Sequence, residues 1–456
     1  MTGKLNFVFV LVLAFLFSCN TGKNKETIAK VAVETRVKHT GWSKNAVIYE
    51  VNVRQYTPEG TFNAFAAHIP RLKDLGVDIL WIMPIHPVGE KNRKGTLGSY
   101  YSVRDYTAVN PEYGTIDDFK NLVSVAHNNG MYVLLDWVAN HTAWDHKWME
   151  ENPDWYKKDS TGKPFAPFNW TDVVQLDYDN AGLRAEMTEA LKFWVRETNI
   201  DGYRCDVAGM VPVDFWENAR KELDHIKPVF MLAEDEGTPL LLENAFDMNY
   251  SWSMHHIMNH IAQGKAGLDD IKNYYAIEDS IYSKDCYRLQ FITNHDENSW
   301  SGSEFERMGG AVKTFAVMSF TIPGMPLIYT GQEVGMEKRL GFFDKDEVPF
   351  LQNEYFAFYQ SLIKLKKENE VFWNGASGGE MEILDAGNNA VFAFNRTNPM
   401  KDAFVILNLS AEPQVYIVPK GMAGAYTDYF SEESVVLNEG EESHLVSWAY
   451  KVFLEK

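Results

Sequence analysis

The sequence predicts a (β/α)8 barrel with a small inserted subdomain and an all-β C-terminal domain, and three observations carry that reading. Between residues 42 and 370, eight short apolar runs alternate with amphipathic stretches. That order favours a closed parallel sheet ringed by helices over an open doubly wound one. One connection, residues 139–178, is rich in Trp, Phe and Pro. It is too long for a bare loop and should fold as a subdomain. From residue 371 the helical period stops, and short apolar runs separated by turn residues suggest a C-terminal β-sandwich over 371–456.

The elements follow in chain order. Lys4 precedes the apolar run Leu5–Phe17, which ends in Ser18-Cys19. The run is too short for a membrane span and reads as an export signal over residues 1–19. A small residue directly before Cys19 resembles a bacterial lipoprotein cleavage box. Cys19 is then lipidated, the alternative being a plain cleaved signal or a start-anchor. Residues 20–41 are polar, without hydrophobic period, and read as a tether. Barrel strands are expected at Val47–Val53, Ile79–Met83, Tyr132–Trp137, Gly202–Asp206, Phe230–Glu234, Ala245–Asp247, Leu289–Thr293 and Pro326–Tyr329. Between them, Phe62, Phe65, Ile69, Leu72 and Leu75 recur at helical spacing, and Ala181–Thr198 forms another helix. Gly76, Gly130 and Gly202 stand where helices end and strands begin. Further strands are expected at Val391–Phe394, Phe404–Leu407, Val415–Val418 and Val446–Phe453.

Composition narrows the function classes. The formal charge is −20, so the surface repels nucleic acid, whose phosphates need Lys and Arg. A neutral glycan needs no such patch. The 13 Trp, 22 Tyr and 28 Phe suit either large cores or the apolar faces of sugar rings. Beyond Cys19 only Cys205 and Cys286 remain, so no disulfide framework is implied.

Chemistry concentrates at strand ends, where barrels of this kind place their active sites. The third strand runs out as Asp136-Trp-Val-Ala-Asn140-His141, the fourth as Arg204-Cys-Asp206, the fifth as Glu234-Asp235-Glu236 and the seventh as Asn294-His295-Asp296. Period-two alternation puts Arg204 and Asp206 on one face and Cys205 on the other, as a buried thiol.

These motifs resemble the four strand-end motifs of the α-amylase family of glycoside hydrolases. Gly76–Pro84 and Pro323–Glu333 resemble two further family motifs, and Gly98–Tyr106 resembles the segment whose aromatic, here Tyr101, stacks under the sugar at the cleavage point. The match runs in order from about Trp42 to the C-terminus. It implies Asp206 as nucleophile, Glu234 as general acid/base and Asp296 as the third carboxylate. It further implies His141, His295 and Arg204 around the same sugar, with Asp136 as a structural partner. A retaining glycosidase uses two carboxyls in this way, and Arg204 should keep Asp206 ionised while the flanking carboxylates raise Glu234. Asn140 matches a family calcium ligand and Asp172 lies near a second. Either Ca2+ binds there or Asn140 only hydrogen-bonds its loop.

Two departures stand out. Val207-Ala-Gly-Met210 replaces a Lys-His pair of many α-amylases, and Asp235-Glu236 follows the acid where an aromatic is common. The first, with Phe215-Trp216, looks closer to the cyclomaltodextrinase and neopullulanase group. The expectation is retaining endo-hydrolysis of α-1,4-glucans by an exported enzyme, monomeric by default and anchored through Cys19 on the periplasmic side. The alternatives are a cyclomaltodextrinase-like enzyme, an exo-acting α-glucosidase, a transglycosylase, or a non-catalytic glycan-binding lipoprotein.

Overall fold

The computed structural model describes residues 32–351 and 353–455. The signal and lipidated Cys19 expected at the N-terminus lie outside them. Eight parallel strands close into a barrel: Ile48–Val51, Ile79–Ile82, Tyr132–Trp137, Gly202–Cys205, Phe230–Ala233, Met248–Tyr250, Tyr287–Gln290 and Met325–Tyr329. Each pairs with its sequence neighbours in the barrel, and the last pairs with the first, Ile48 against Leu327. The interior is packed by inward residues such as Ile48, Trp81, Leu134, Phe230, Leu232 and Leu327. Outward residues such as Tyr203 and Cys205 join the shell beneath the helices, so Cys205 is the buried thiol that alternation predicts.

Local chemistry sets the helix limits. Thr115 and Asp118 form a capping box at the start of Ile116–Asn128, satisfying two free N–H donors. Asn180 caps Ala181–Thr198. Gly76 ends Ile69–Leu75 at φ 105°, a left-handed conformation that suits glycine. At Gly202 the reason is space: a Cβ there would stand 1.8 Å from the carbonyl oxygen of Phe230.

Two barrel strands differ from expectation. The sixth is Met248–Tyr250 rather than Ala245–Asp247. Asp247 lies before it and spends its carboxylate on the Met231 N–H, Arg220 and His39. The seventh begins at Tyr287, two residues early. Arg288 is tolerated inside it because Glu236 and Glu278 neutralise it at 3.0 and 2.8 Å.

Residues 32–41, read as part of a tether, are docked. The Val33 N–H donates to Ile281 O, and that of Arg36 to Glu243 O. His39 stacks on Tyr287 at 4.2 Å, and Trp42 on Tyr132 at 4.0 Å, covering the end of the barrel away from the strand C-termini.

The 139–178 segment forms a two-stranded sheet, His141–Ala143 with Val173–Gln175, and short helices at Trp148–Glu151 and Pro153–Trp155. The C-terminal region is all-β: six antiparallel strands between Glu380 and Glu455 form one sheet, and Gln414–Ile417 pairs with Glu442–Leu445 in a second. Arg396, fully buried, joins the sheet to the barrel layer by donating to Thr321 O at 2.7 Å and to Gly379 O.

Candidate active site

The strand C-termini open into a cavity of about 520 Å³ whose walls include Asp206, Glu234 and Asp296. Arg204, fully buried, organises two of these carboxylates. Its Nη2 meets Glu234 Oε2 at 2.8 Å, and its Nη1 lies 2.9 Å from Asp136 Oδ1 and 3.3 Å from Asp206 Oδ1. A buried guanidinium is stable only if its charge is compensated, so these three acids also hold Arg204. The Glu234 Oε2 also accepts a hydrogen bond from the Val207 N–H at 2.9 Å. Val207 adopts φ 38°, an unfavourable region for a β-branched residue. Strain of that kind persists where surrounding structure over-determines it, and here it aims the N–H at a carboxylate of the site.

A chain of bonds fixes Tyr101. His295 Nε2 lies 2.7 Å from the Tyr101 hydroxyl, which donates to Asp136 Oδ2 at 3.0 Å. Trp81 Nε1 donates to the same Asp136 oxygen. The Tyr101 ring lies 5.4 Å from that of His295 at 21° and 6.3 Å from that of Phe342 at 12°. Asp136 is thus a fully buried hub for Arg204, Tyr101 and Trp81.

The two histidines differ in charge. Burial pushes His141 down to about 4, so it is neutral near pH 7. Burial would also strip His295, but Asp296 and Glu50 outweigh it and push its pKa up to about 9. Its Nδ1 donates to Glu50 Oε1 at 2.5 Å. Asp206 reverses one expectation. Arg204 does pull it down, but burial first and the charge of Glu234 second hold its pKa well above the ordinary aspartate range. Asp296 is raised too, chiefly by burial.

The structure brings Tyr101, His141, Asp172, Asp206, Glu234, His295 and Asp296 to one cavity, with Arg204 and Asp136 beneath it. Glu236 is turned away, bound to Arg288 and to the N–H and hydroxyl of Ser253. The residues expected to hold calcium do not fit it as placed. Calcium takes six to eight oxygen ligands, whereas Asp172 is ion-paired with Lys94 at 2.8 Å and the Asn140 side-chain nitrogen faces His141 Nδ1 at 3.2 Å.

Sequence reasoning missed Glu50, Lys94, Trp81, Tyr250 and Trp300. Glu50 was detectable as a lone acid inside an apolar strand. Tyr250, whose hydroxyl lies 3.3 Å from Arg204 Nε, belongs to the strand whose limits were misplaced. Trp300 lines the cavity and remains 54% exposed beside Phe342, which offers an apolar ring to a ligand.

Residues 20–174 and 152–348 match the family model described as the alpha amylase catalytic domain. The chain is 28% identical over 437 residues to alpha-amylase MalA of Haloarcula japonica, covering 90% of this chain and 62% of that protein. It is 29% identical over 341 residues to alpha-amylase 3 of Dictyoglomus thermophilum, covering 65% of each. The chain thus spans somewhat under two thirds of these curated relatives. Among solved structures, an alpha-amylase from Lactobacillus plantarum superposes with TM-score 0.81 at 30% identity, covering 90% of this chain and 99% of that one. A noncanonic maltogenic alpha-amylase, AmyB of Thermotoga neapolitana, superposes with TM-score 0.82 at 30% identity and the same coverage.

Proposed function

The chain belongs to the α-amylase family of glycoside hydrolases, and from that premise we propose that it hydrolyses α-1,4-glucosidic bonds of starch, glycogen or maltooligosaccharides with retention. One observation carries the reading: Asp206, Glu234 and Asp296 line a single cavity while one buried arginine contacts the first two.

In the first step an Asp206 carboxylate oxygen bonds to the anomeric carbon. The glycosidic bond breaks, and Glu234 passes its proton to the departing oxygen. In the second step Glu234 takes a proton from water, the water oxygen attacks the anomeric carbon, and Asp206 is released. Asp206 must be ionised to attack. Its raised pKa in the free protein arises partly from the Glu234 charge, which disappears when Glu234 is the protonated acid. Asp296 is disposed to grip hydroxyls of the reacting sugar, with the Tyr101 ring beneath it, while the charged His295 spends its two N–H groups on Glu50 and the Tyr101 hydroxyl and so holds that ring in place. The resemblance favours internal bonds. Release of short products from chain ends is a second reading, favoured by the Lys94–Asp172 ion pair in the cavity wall. We further infer export and anchoring through lipidated Cys19, with the periplasmic side preferred.

Separating the two carboxyls tests the reading. Proton donation contributes about 10²–10⁴ in rate and matters most for a poor leaving group. Glu234→Gln should nearly abolish cleavage of maltooligosaccharides yet still react with α-maltosyl fluoride, and added azide should speed its turnover and yield an α-glycosyl azide. Asp206→Asn should fail on both substrates. Azide rescue of Asp206→Asn instead would reverse the assignment.

A further inference from the structure

Lys94 is the one lysine or arginine among the described residues that line the active-site cavity. Its Nζ lies 2.8 Å from Asp172 Oδ1, and the Asp172 side chain is only 6% exposed. The ion pair spans two segments, one following the second barrel strand and the other belonging to the inserted subdomain.

Lys94 is held in place by its loop. Arg93 donates from Nε to Gly89 O and from Nη2 to Val88 O. The Thr96 N–H and hydroxyl both donate to Asp344 Oδ1, and the Leu97 N–H donates to Phe343 O. Gly95 packs so closely that a Cβ would lie 2.4 Å from that of Phe343. The Phe343 ring centroid is 6.0 Å from Lys94 Nζ. On the other side, the Ser102 hydroxyl donates to Asp172 O at 3.1 Å.

The pair belongs to the Tyr101 side of the cavity. The Lys94 loop continues into Tyr101, and Phe343 adjoins Phe342, which stacks on Tyr101. Glu234 is bound instead to the Val207 N–H. If Tyr101 underlies the reacting sugar and Glu234 protonates the leaving group, the pair faces the non-reducing end of the bound chain.

An ammonium has three donors and a carboxylate accepts at both oxygens, so the pair can take a donor and an acceptor from adjacent hydroxyls. A terminal glucose presents free 3- and 4-hydroxyls together. An internal glucose has its O4 bonded to the next ring, and passing that ring would require the pair to open and leave a nearly buried Asp172 charge unpaired, which is costly.

We propose that the Lys94–Asp172 ion pair is an end-stop that selects the non-reducing ends of α-glucan chains, making products short and uniform in length. The proposal rests on the retaining-hydrolase reading and deepens its second form, release of short products from chain ends.

The test compares a chromogenic maltoheptaoside with the same compound blocked by a 4,6-O-ethylidene group on its terminal glucose. The wild-type protein should cleave the blocked compound at least about tenfold more slowly, the scale of a lost or clashing recognition contact. Lys94→Ala and Lys94→Met, the second keeping the aliphatic stem, should bring the ratio towards one and broaden the products of maltoheptaose. Melting temperatures identify misfolded variants, and a single folded variant decides the variant arm. Equal wild-type rates on the two compounds overturn the proposal. So does an unchanged ratio in a folded variant. If both variants misfold, the wild-type ratio and product lengths decide. A wild-type protein inactive on the unblocked compound would instead refute the hydrolase reading.

Discussion

Burial alone would leave His295 uncharged, but Asp296 and Glu50 hold its pKa at about 9. The raised value means that the stabilisation from these contacts is fully present below the unfolded pKa near 6.5 and is lost as pH rises through about 9. Glu50→Gln removes one of the two charges and should lower the His295 pKa. Histidine NMR would show the shift, and the stability difference between wild type and variant should shrink above the folded pKa. An unchanged His295 titration would remove Glu50 from the account. At this scale the strand-end acids, Arg204 and both histidines were legible because each breaks an apolar strand at its end. The difference between a neutral His141 and a charged His295 was not, since it depends on neighbours far apart in sequence: Glu50 is 245 residues from His295. The ionisation of Asp206 was misread for the same reason. The sequence shows Arg204 beside it but not the depth of burial or the charge of Glu234.

Among the elements, six barrel strands lay close to their expected places, because apolar runs bounded by Gly and polar residues mark them. The sixth and seventh were displaced where polar residues enter the sheet. Asp247 was read into the sixth strand but lies just before it, and Arg288 was left outside the seventh but lies within it; only three-dimensional partners make the two compatible with burial. The C-terminal strands Glu380–Leu384, Gly424–Asp428, Ser434–Leu437 and Glu442–Leu445 were missed, and the last strand runs Tyr450–Glu455 rather than Val446–Phe453. Each missed strand leaves part of its length exposed, so its apolar signal is weak. The N-terminal segment teaches a related point: polar composition suggested a tether, yet residues 32–41 are held by backbone bonds and by stacking of His39 and Trp42. If Cys19 carries the lipid, Cys19→Ala should move the protein from the membrane fraction to the soluble extract with its activity retained. Wild-type protein that is already soluble and without acyl mass would end that reading.

For the whole molecule, the barrel gathers side chains from the ends of the third, fourth, fifth and seventh strands and from the connections after the second, third and eighth into one mouth, while the C-terminal sheets pack against its helices through Arg396 and the Thr314–Trp448 bond. The architecture was legible because alternating β and α periods admit few closed solutions. The bridging of the mouth by Lys94 and Asp172 was not, because it depends on how two long connections meet. The central claim is that this mouth performs covalent catalysis at Asp206. It is tested most directly by reacting the Glu234→Gln protein with a 2-deoxy-2-fluoro-α-maltosyl fluoride and mapping the product by peptide mass spectrometry. One glycosyl adduct on the peptide bearing Asp206, absent from Asp206→Asn/Glu234→Gln, is the expected result, whereas an adduct on Asp296 or another residue would contradict the account.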